Sequence, residues 1–265
     1  MFKNLKYILK YINYYLFSGH GKGYGIHSPF IYEYITKVLR DRTIDRKIKR
    51  INDLSSELRF VKAKVETTGF GAGSHFGKRD NVRIGNIARL SSTQKKYGNL
   101  LYRTVMFFKP KVILELGTSL GIGTSYLALP DRNANIYTIE GSEILSALAT
   151  DNFSKLKISN IKQYTGEFIK VLPGLLDQLP DIDLIFIDGD HREEATIKYF
   201  ELCLEAVNSE SVIILDDIHW SSGMEKAWER IKKYSKVKLT LDLFRFGLVF
   251  FREEIYSKQH FRIRY

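Results

Sequence analysis

The 265-residue sequence holds one cysteine and five prolines, and no apolar run in it is long enough to span a bilayer. A lone thiol, Cys203, excludes an internal disulfide and a thiolate metal cluster. Its setting, Leu202-Cys203-Leu204, predicts a buried structural side chain. Such sparing use of cysteine suits a reducing, cytoplasmic setting. Few prolines, with neither repeats nor low-complexity tracts, exclude a solenoid or a disordered chain. Without about 18 consecutive apolar residues no transmembrane helix is expected. Lys10 interrupts the apolar N-terminal stretch and no small-residue cleavage site follows, so no signal peptide is expected either. Acidic residues are scarce only at the start. Residues 1–90 carry 18 Lys and Arg against 7 Asp and Glu, whereas residues 91–265 carry 23 of each. The whole excess of +11 therefore sits in the first third, which implies two functional regions, one suited to an anionic partner.

From about residue 91 the pattern alternates strands with helices, the signature of a mostly parallel sheet covered on both faces. A helix is predicted over Ser92–Phe108 and strands at Val112–Leu116, Asn135–Ile139, Ile161–Tyr164, Ile182–Ile187 and Ser211–Leu215. Helices are predicted through Tyr126, over Glu143–Leu156 and over Glu193–Val207, and Ser222 with Glu225 reads as a capping box opening another. Val237–Leu243 and Gly247–Phe251 read as two paired strands. Residues 1–90 differ. Ile31, Tyr34, Ile35, Val38 and Leu39 recur at helical spacing, as do Ile44, Ile48, Ile51, Leu54 and Leu58, giving amphipathic helices rich in Tyr and Lys. The division expected is a basic helical accessory region, 1–90, and a catalytic domain, 91–265.

The chemistry begins at Glu115-Leu-Gly117-Thr118-Ser119-Leu-Gly121-Ile-Gly123, between a buried strand and a helix. Glycines at such a turn let the backbone approach a ligand closely. Glu140 closes the next strand, 23 residues beyond Gly117, where a carboxylate can accept both ribose hydroxyls of an adenosine cofactor. These features serve NAD and S-adenosylmethionine alike.

The run Val112-Ile-Leu-Glu-Leu-Gly-Thr-Ser-Leu-Gly-Ile-Gly-Thr124 resembles motif I of the class I S-adenosylmethionine-dependent methyltransferases, in particular the catechol-type O-methyltransferase branch. The strand pair around Asp242-Leu-Phe-Arg-Phe-Gly-Leu-Val-Phe-Phe251 looks like the antiparallel hairpin closing that family's sheet. The resemblance covers roughly residues 91–252. It implies an α/β, Rossmann-like seven-strand methyltransferase sheet with an α-helical N-terminal extension. It also implies S-adenosylmethionine as cofactor, with Glu115, Gly117 and Gly121 around its methionine part and Glu140 on its ribose. Thr118, Ser119, Gly123, Gly141, Gly166, Glu167 and Asp188 complete the expected cofactor set.

Asp188 leaves the fourth strand, and Asp216 and Asp217 leave the fifth. Ligands of such sheets gather at the carboxyl ends of the strands, so these acids are expected to converge. In the catechol-type branch, matching acid and amide residues bind a divalent ion, which makes magnesium the implied metal and Asp188, Asp216 and Asp217 its ligands. Asp217 departs from the family's usual Asn, and the same acids could touch cofactor or solvent with no metal. His191 stands where that family often places a catalytic lysine. It is a candidate general base beside Asp188, or a cap of the helix opening at Glu193. His219 could line the acceptor site, while His20, His27, His75 and His260 read as structural.

Tyr11, Tyr14, Tyr15, Tyr24, Tyr32 and Tyr34 interleave with basic residues, which suits nucleic-acid stacking, a membrane surface or plain helix packing. The loop Gly69–His75 lacks a phosphate-loop ending and could form a lid. The expected function is methylation of an oxygen on a small-molecule acceptor. Ribose methylation of RNA stays open, because adenine-methylase and Pro-Cys signatures are missing but a basic region is present. A cofactor-binding module without catalysis is the other alternative, and an NAD dehydrogenase ranks last. Apolar faces on the N-terminal helices leave a homodimer open.

Overall fold

A computed structural model describes residues 2–19, 28–43, 45–66, 81–90 and 92–265. The expected lid Gly69–His75, with Tyr24, Ile44, His20, His27 and His75, lies outside the described residues.

The chain opens with α1 (Phe2–Phe17) and α2 (Pro29–Tyr34), which runs into one turn of π-helix, Ile35–Leu39. Ser28 caps α2 and Pro29 takes its first position, where a missing N–H costs nothing. α3 (Arg46–Leu58) starts where Asp45 Oδ1 accepts the Lys47 N–H at 2.8 Å. A short antiparallel ladder of β1 (Lys64–Val65) and β2 (Val82–Arg83) leads to α4 (Ile84–Leu90) and α5 (Lys95–Phe108). The alternating part follows: β3 (Val112–Leu116), α6 (Ile122–Ala128), β4 (Asn135–Glu140), α7 (Glu143–Leu156), β5 (Ile161–Thr165), α8 (Phe168–Leu176), β6 (Leu184–Ile187), α9 (Glu193–Cys203), β7 (Val212–Leu215) and α10 (Ser222–Ile231). The chain finishes with β8 (Leu239–Leu243), β9 (Phe246–Phe250) and β10 (Gln259–Arg262).

The main sheet has the order β10-β8-β9-β7-β6-β3-β4-β5. Strands β7, β6, β3, β4 and β5 are parallel, β9 runs antiparallel between β7 and β8, and β10 is parallel to β8. The mostly parallel α/β architecture is as expected, but the sheet has eight strands, not seven. The extra strand, β10, has a half-exposed pattern and only one neighbour, so no apolar run marks it.

Central strands buried on both faces read as continuous apolar runs, and Val112–Leu116 and Val212–Leu215 are buried throughout. One face packs Ile113, Phe186 and Ile214 against α5, α6 and the N-terminal helices in a single cluster that includes Ile31, Tyr34 and Ile51. The other face packs Leu114, Ile185 and Ile213 against α8, α9 and α10 through Leu172, Phe200 and Trp228. Cys203 is fully buried there, and burial pushes its thiol up to about 12. α7 keeps its predicted bounds because Ser142 caps it and Lys157 ends it in a left-handed conformation. Elsewhere α10 is capped by Ser221, one residue before the expected Ser222, with its Oγ accepting the Met224 N–H at 3.1 Å. α8 contains Pro173, which obscures it in the sequence. No described helix is long and apolar enough to cross a membrane.

Ile51 is fully buried in α3, whereas Ile12 on α1 is 46% exposed. Ile51→Ala is expected to cost about 2–5 kcal/mol in urea unfolding. Ile12→Ala should stay within about 0.5 kcal/mol of the parent.

Candidate active site

β3 leaves the sheet into Gly117, whose φ of +111° lies in the left-handed half of backbone space. A Cβ there would fall 2.2 Å from the Asp188 carbonyl oxygen, so glycine is what lets the turn after β3 touch the end of β6. The Gly117 N–H donates to Ile139 O at 3.0 Å and ties the same turn to β4. Three strand ends thus meet.

Glu115, on β3, is buried, and its Oε2 accepts from the hydroxyls of Thr124 and Thr138, the latter at 2.6 Å. Its Oε1 has no partner among the described residues. Burial pushes this carboxyl up to about 7. Gly123 makes room, since a Cβ there would stand 3.2 Å from Glu115 Oε1. Thr118 Oγ1 lies 2.6 Å from Thr138 Oγ1, while Ser119, at φ +49°, donates its N–H to Glu140 Oε2 at 2.7 Å. Glu140 Oε1 accepts the Ser142 N–H at 3.0 Å, and burial raises the carboxyl above its usual range. Gly121 caps α6, and the Gly166 N–H reaches Glu140 O at 2.9 Å. Beyond Glu140 and Gly166 lies a cleft of about 150 Å³ whose lining includes Gly141, Glu167, Phe168, Asp190 and Tyr199. The expected cofactor residues are thereby gathered along the carboxyl edge of β3, β4 and β5.

The second half of the site sits at the ends of β6 and β7. Asp216 is fully buried, and Arg245 grips it with a two-bond fork, Nε to Oδ1 and Nη2 to Oδ2, both at 2.7 Å. Arg245 Nε also lies 3.4 Å from Asp217 Oδ1. Asp217 has φ +54°, and its N–H donates to Asp216 Oδ1 at 2.7 Å. His191 Nε2 stands 3.8 Å from both Asp188 Oδ1 and Asp217 Oδ2. Burial and the Asp216 charge hold the Asp188 carboxyl well above its usual range, whereas the Arg245 guanidinium keeps Asp216 low against the cost of burial. Burial pushes Asp217 up to about 6. His191 precedes α9, whose N-cap is Arg192, so it faces the acids and does not cap the helix.

Above these acids lies α1. Tyr7 packs on Trp220 and Phe244 at ring distances of 5.7 and 5.2 Å, and burial together with the nearby Asp217 pushes its hydroxyl up to about 12. Lys10 bonds Glu225 at 2.7 Å. His219 stacks on Phe244 and reaches Asp242 at 2.9 Å, at the edge of this region. His260 bonds Thr240, away from the acids.

Asp188, Asp216 and Asp217 do converge, but they do not fit a divalent ion. Both Asp216 oxygens face a guanidinium, and no group of three acid or imidazole ligands poised for a metal is found among the described residues. The cofactor half does fit a small polar ligand with a cationic group, since Glu115 Oε1 and Ser119 Oγ are buried and unpartnered among the described residues. Neither Arg245 nor Tyr7 stands out as a site residue in the sequence. The one available signal was a charged residue within the apolar run Leu243-Phe-Arg-Phe246.

Residues 114–218 match a family model described as a methyltransferase domain. An uncharacterised protein of Acanthamoeba polyphaga mimivirus is 33% identical over 84 residues, which is 30% of this chain. The chain spans 37% of that relative's length. Among solved structures, an O-methyltransferase from Bacillus cereus in complex with S-adenosylhomocysteine aligns with a TM-score of 0.55 at 18% identity, covering 83% of this chain and 97% of the other. An S-adenosylhomocysteine-bound methyltransferase from Podospora anserina aligns with 0.60 at 15% identity, covering 85% and 97%. The S-adenosylmethionine-bound O-methyltransferase of tomaymycin synthesis from Streptomyces achromogenes gives 0.56 at 17%, covering 84% and 95%. Residues 114–218 thus carry the likeness to a methyltransferase domain, and the solved methyltransferase structures share the fold of the chain.

Proposed function

We propose that the chain is an S-adenosylmethionine-dependent methyltransferase acting on an oxygen of a small-molecule acceptor. The observation that carries this reading is the meeting of Glu115, Glu140 and Asp188 around the Gly117 turn. Relatives of the same fold hold S-adenosylmethionine or S-adenosylhomocysteine, and this edge offers the polar groups such a ligand needs. When bound, the cofactor would supply a sulfonium methyl group, to which an acceptor oxygen bonds as the methyl–sulfur bond breaks and S-adenosylhomocysteine leaves.

The rest falls to the chain. Glu140 would accept the ribose hydroxyls, because each carboxylate oxygen keeps a lone pair beside its bond to Ser119 or Ser142. Glu115 Oε1, unpartnered among the described residues, would hold the ammonium of the methionine part. Phe168 and Gly141 border the cleft that suits the adenine. His191 Nε2 takes the acceptor's hydroxyl proton, and the Asp217 carboxylate 3.8 Å away stabilises the resulting imidazolium. The aromatic roof of Tyr7, Trp220 and Phe244 orients a flat acceptor and keeps water out.

One observation favours a second reading, RNA as acceptor. Arg40, Arg42, Lys96, Arg103 and Arg264 line a cleft of about 850 Å³ whose one acid, Asp41, is already bonded to Thr43. Transfer of label from methyl-labelled S-adenosylmethionine separates the two. Label in a pool of hydroxylated small molecules supports the first reading, and label in RNA supports the second.

Calorimetric titration with S-adenosylhomocysteine should show micromolar binding that weakens at least about tenfold, or about 1.4 kcal/mol, in Glu140→Ala. No binding by the parent would sink the methyltransferase reading. Glu115 adds a pH dependence of definite sign. Its carboxyl is neutral below about 7, a bound ammonium favours the charged form, and binding therefore releases a proton. Affinity is expected to rise from pH 6 to pH 8 by a factor on the order of ten, and Glu115→Gln should flatten that rise. His191→Gln should lower kcat by about 10²–10⁴ while leaving S-adenosylhomocysteine affinity unchanged, measured with whichever acceptor takes the label.

A further inference from the structure

The acids at the ends of β6 and β7 already serve a cation. Arg245 stands at the tip of the β8–β9 hairpin, where Leu243 pairs with Phe246 and Phe244 adopts a left-handed φ of +69°. The turn is held by the Phe244 N–H on Asp242 Oδ1 and the Arg245 N–H on Leu243 O, both at 2.9 Å. So fixed, the guanidinium reaches Asp216 with two bonds of 2.7 Å and Asp217 at 3.4 Å, with the Tyr97 ring 5.9 Å from its carbon. Its side chain is 15% exposed and Asp216 is fully buried.

A divalent ion at this place needs at least one Asp216 oxygen. Taking it would strand a buried guanidinium beside a second cation, an arrangement that low-dielectric surroundings penalise heavily. An Arg cannot give up its charge to escape, because its proton is held across the accessible pH range.

We propose that Arg245 is the resident cation of the acceptor site and stands in place of a divalent ion, so that methyl transfer by this chain runs without a metal. The proposal rests on the methyltransferase reading. Arg245 acts here as a positioning residue. It fixes Asp216 and Asp217, and through Asp217 the imidazole of His191, while its fork uses two of the five guanidinium N–H donors. Without a Lewis acid to lower the acceptor's pKa, removal of the acceptor proton falls to His191.

The test is a titration of the chelator-treated full chain with Mn²⁺, free ion being read by electron paramagnetic resonance, beside calorimetry with S-adenosylhomocysteine. The parent is expected to leave Mn²⁺ free up to millimolar concentration. Arg245→Met should gain a Mn²⁺ site at least about tenfold tighter, since the two freed carboxyls of Asp216 and Asp217 then join Asp188 as oxygen donors. Micromolar Mn²⁺ binding by the parent that disappears in Asp216→Asn and in Asp217→Asn overturns the proposal. A folded Arg245→Met that still ignores Mn²⁺ overturns it too, and if that variant fails to fold the parent titration decides alone. Should S-adenosylhomocysteine fail to bind while the Mn²⁺ results come out as expected, the methyltransferase reading falls and the place of Arg245 as resident cation stands.

Discussion

A carboxylate with no solvent exposure at the end of a central strand has to be matched by a cation, and in this protein the match between Asp216 and Arg245 organises everything around it. Asp216 ends β7, whereas Arg245 comes from a hairpin made almost thirty residues later. The two meet only when β9 has inserted antiparallel between β7 and β8. Once they meet, Asp216 can also take the Asp217 N–H, which holds Asp217 in its left-handed conformation and turns its carboxyl toward His191. Asp188, next along the sheet, feels that same buried charge. The antiparallel end of the sheet therefore does more than cover an edge, because it delivers the counter-charge that lets three acids share one corner.

Much of this was legible in the sequence, and the part that was not has a common cause. β3, α7, the start of α9 and the end of β7 follow from local signals: apolar runs, a Ser cap, acids at a helix start. The glycine turn and Glu140 follow from spacing along a βαβ unit, which fixes what lies across from what. Arg245 escaped because its partner is set by strand insertion, not by spacing, and a charge in an apolar hairpin has no local meaning. The same holds for Tyr7, whose neighbours Trp220 and Phe244 are more than two hundred residues away. α8 and β10 were hidden for opposite reasons, one by a proline inside it and the other by the weak pattern of an edge strand.

The interleaved tyrosines of the N-terminal third resolve into separate roles. Tyr14 and Tyr34 are buried, the first bonding Ile263 O and the second Thr104, so helix packing accounts for them. Tyr11 and Tyr15 are partly exposed on α1, together with Ile8, Leu9, Ile12, Leu16 and Phe17. That helix is thus a strip with two uses of apolar surface, one face packed on Trp220 and Phe244 and one turned outward. Part of the positive charge of this third lines a cleft away from the three acids. Arg40 and Arg42 share that cleft with Lys96 and Arg103 of α5.

The bridge between Gly19 and Ile263, the Tyr14 hydroxyl on Ile263 O and the Arg264 guanidinium on Tyr15 O all join the first twenty residues to β10 and its continuation. These contacts close a loop spanning nearly the whole chain, the costliest kind to form early in folding. During synthesis α1 emerges long before β10, so it finds this anchor late. The roof that α1 forms over the three acids is therefore tied down through a strand made long after the helix itself, and that corner keeps this tie open in a nascent chain until β10 is made.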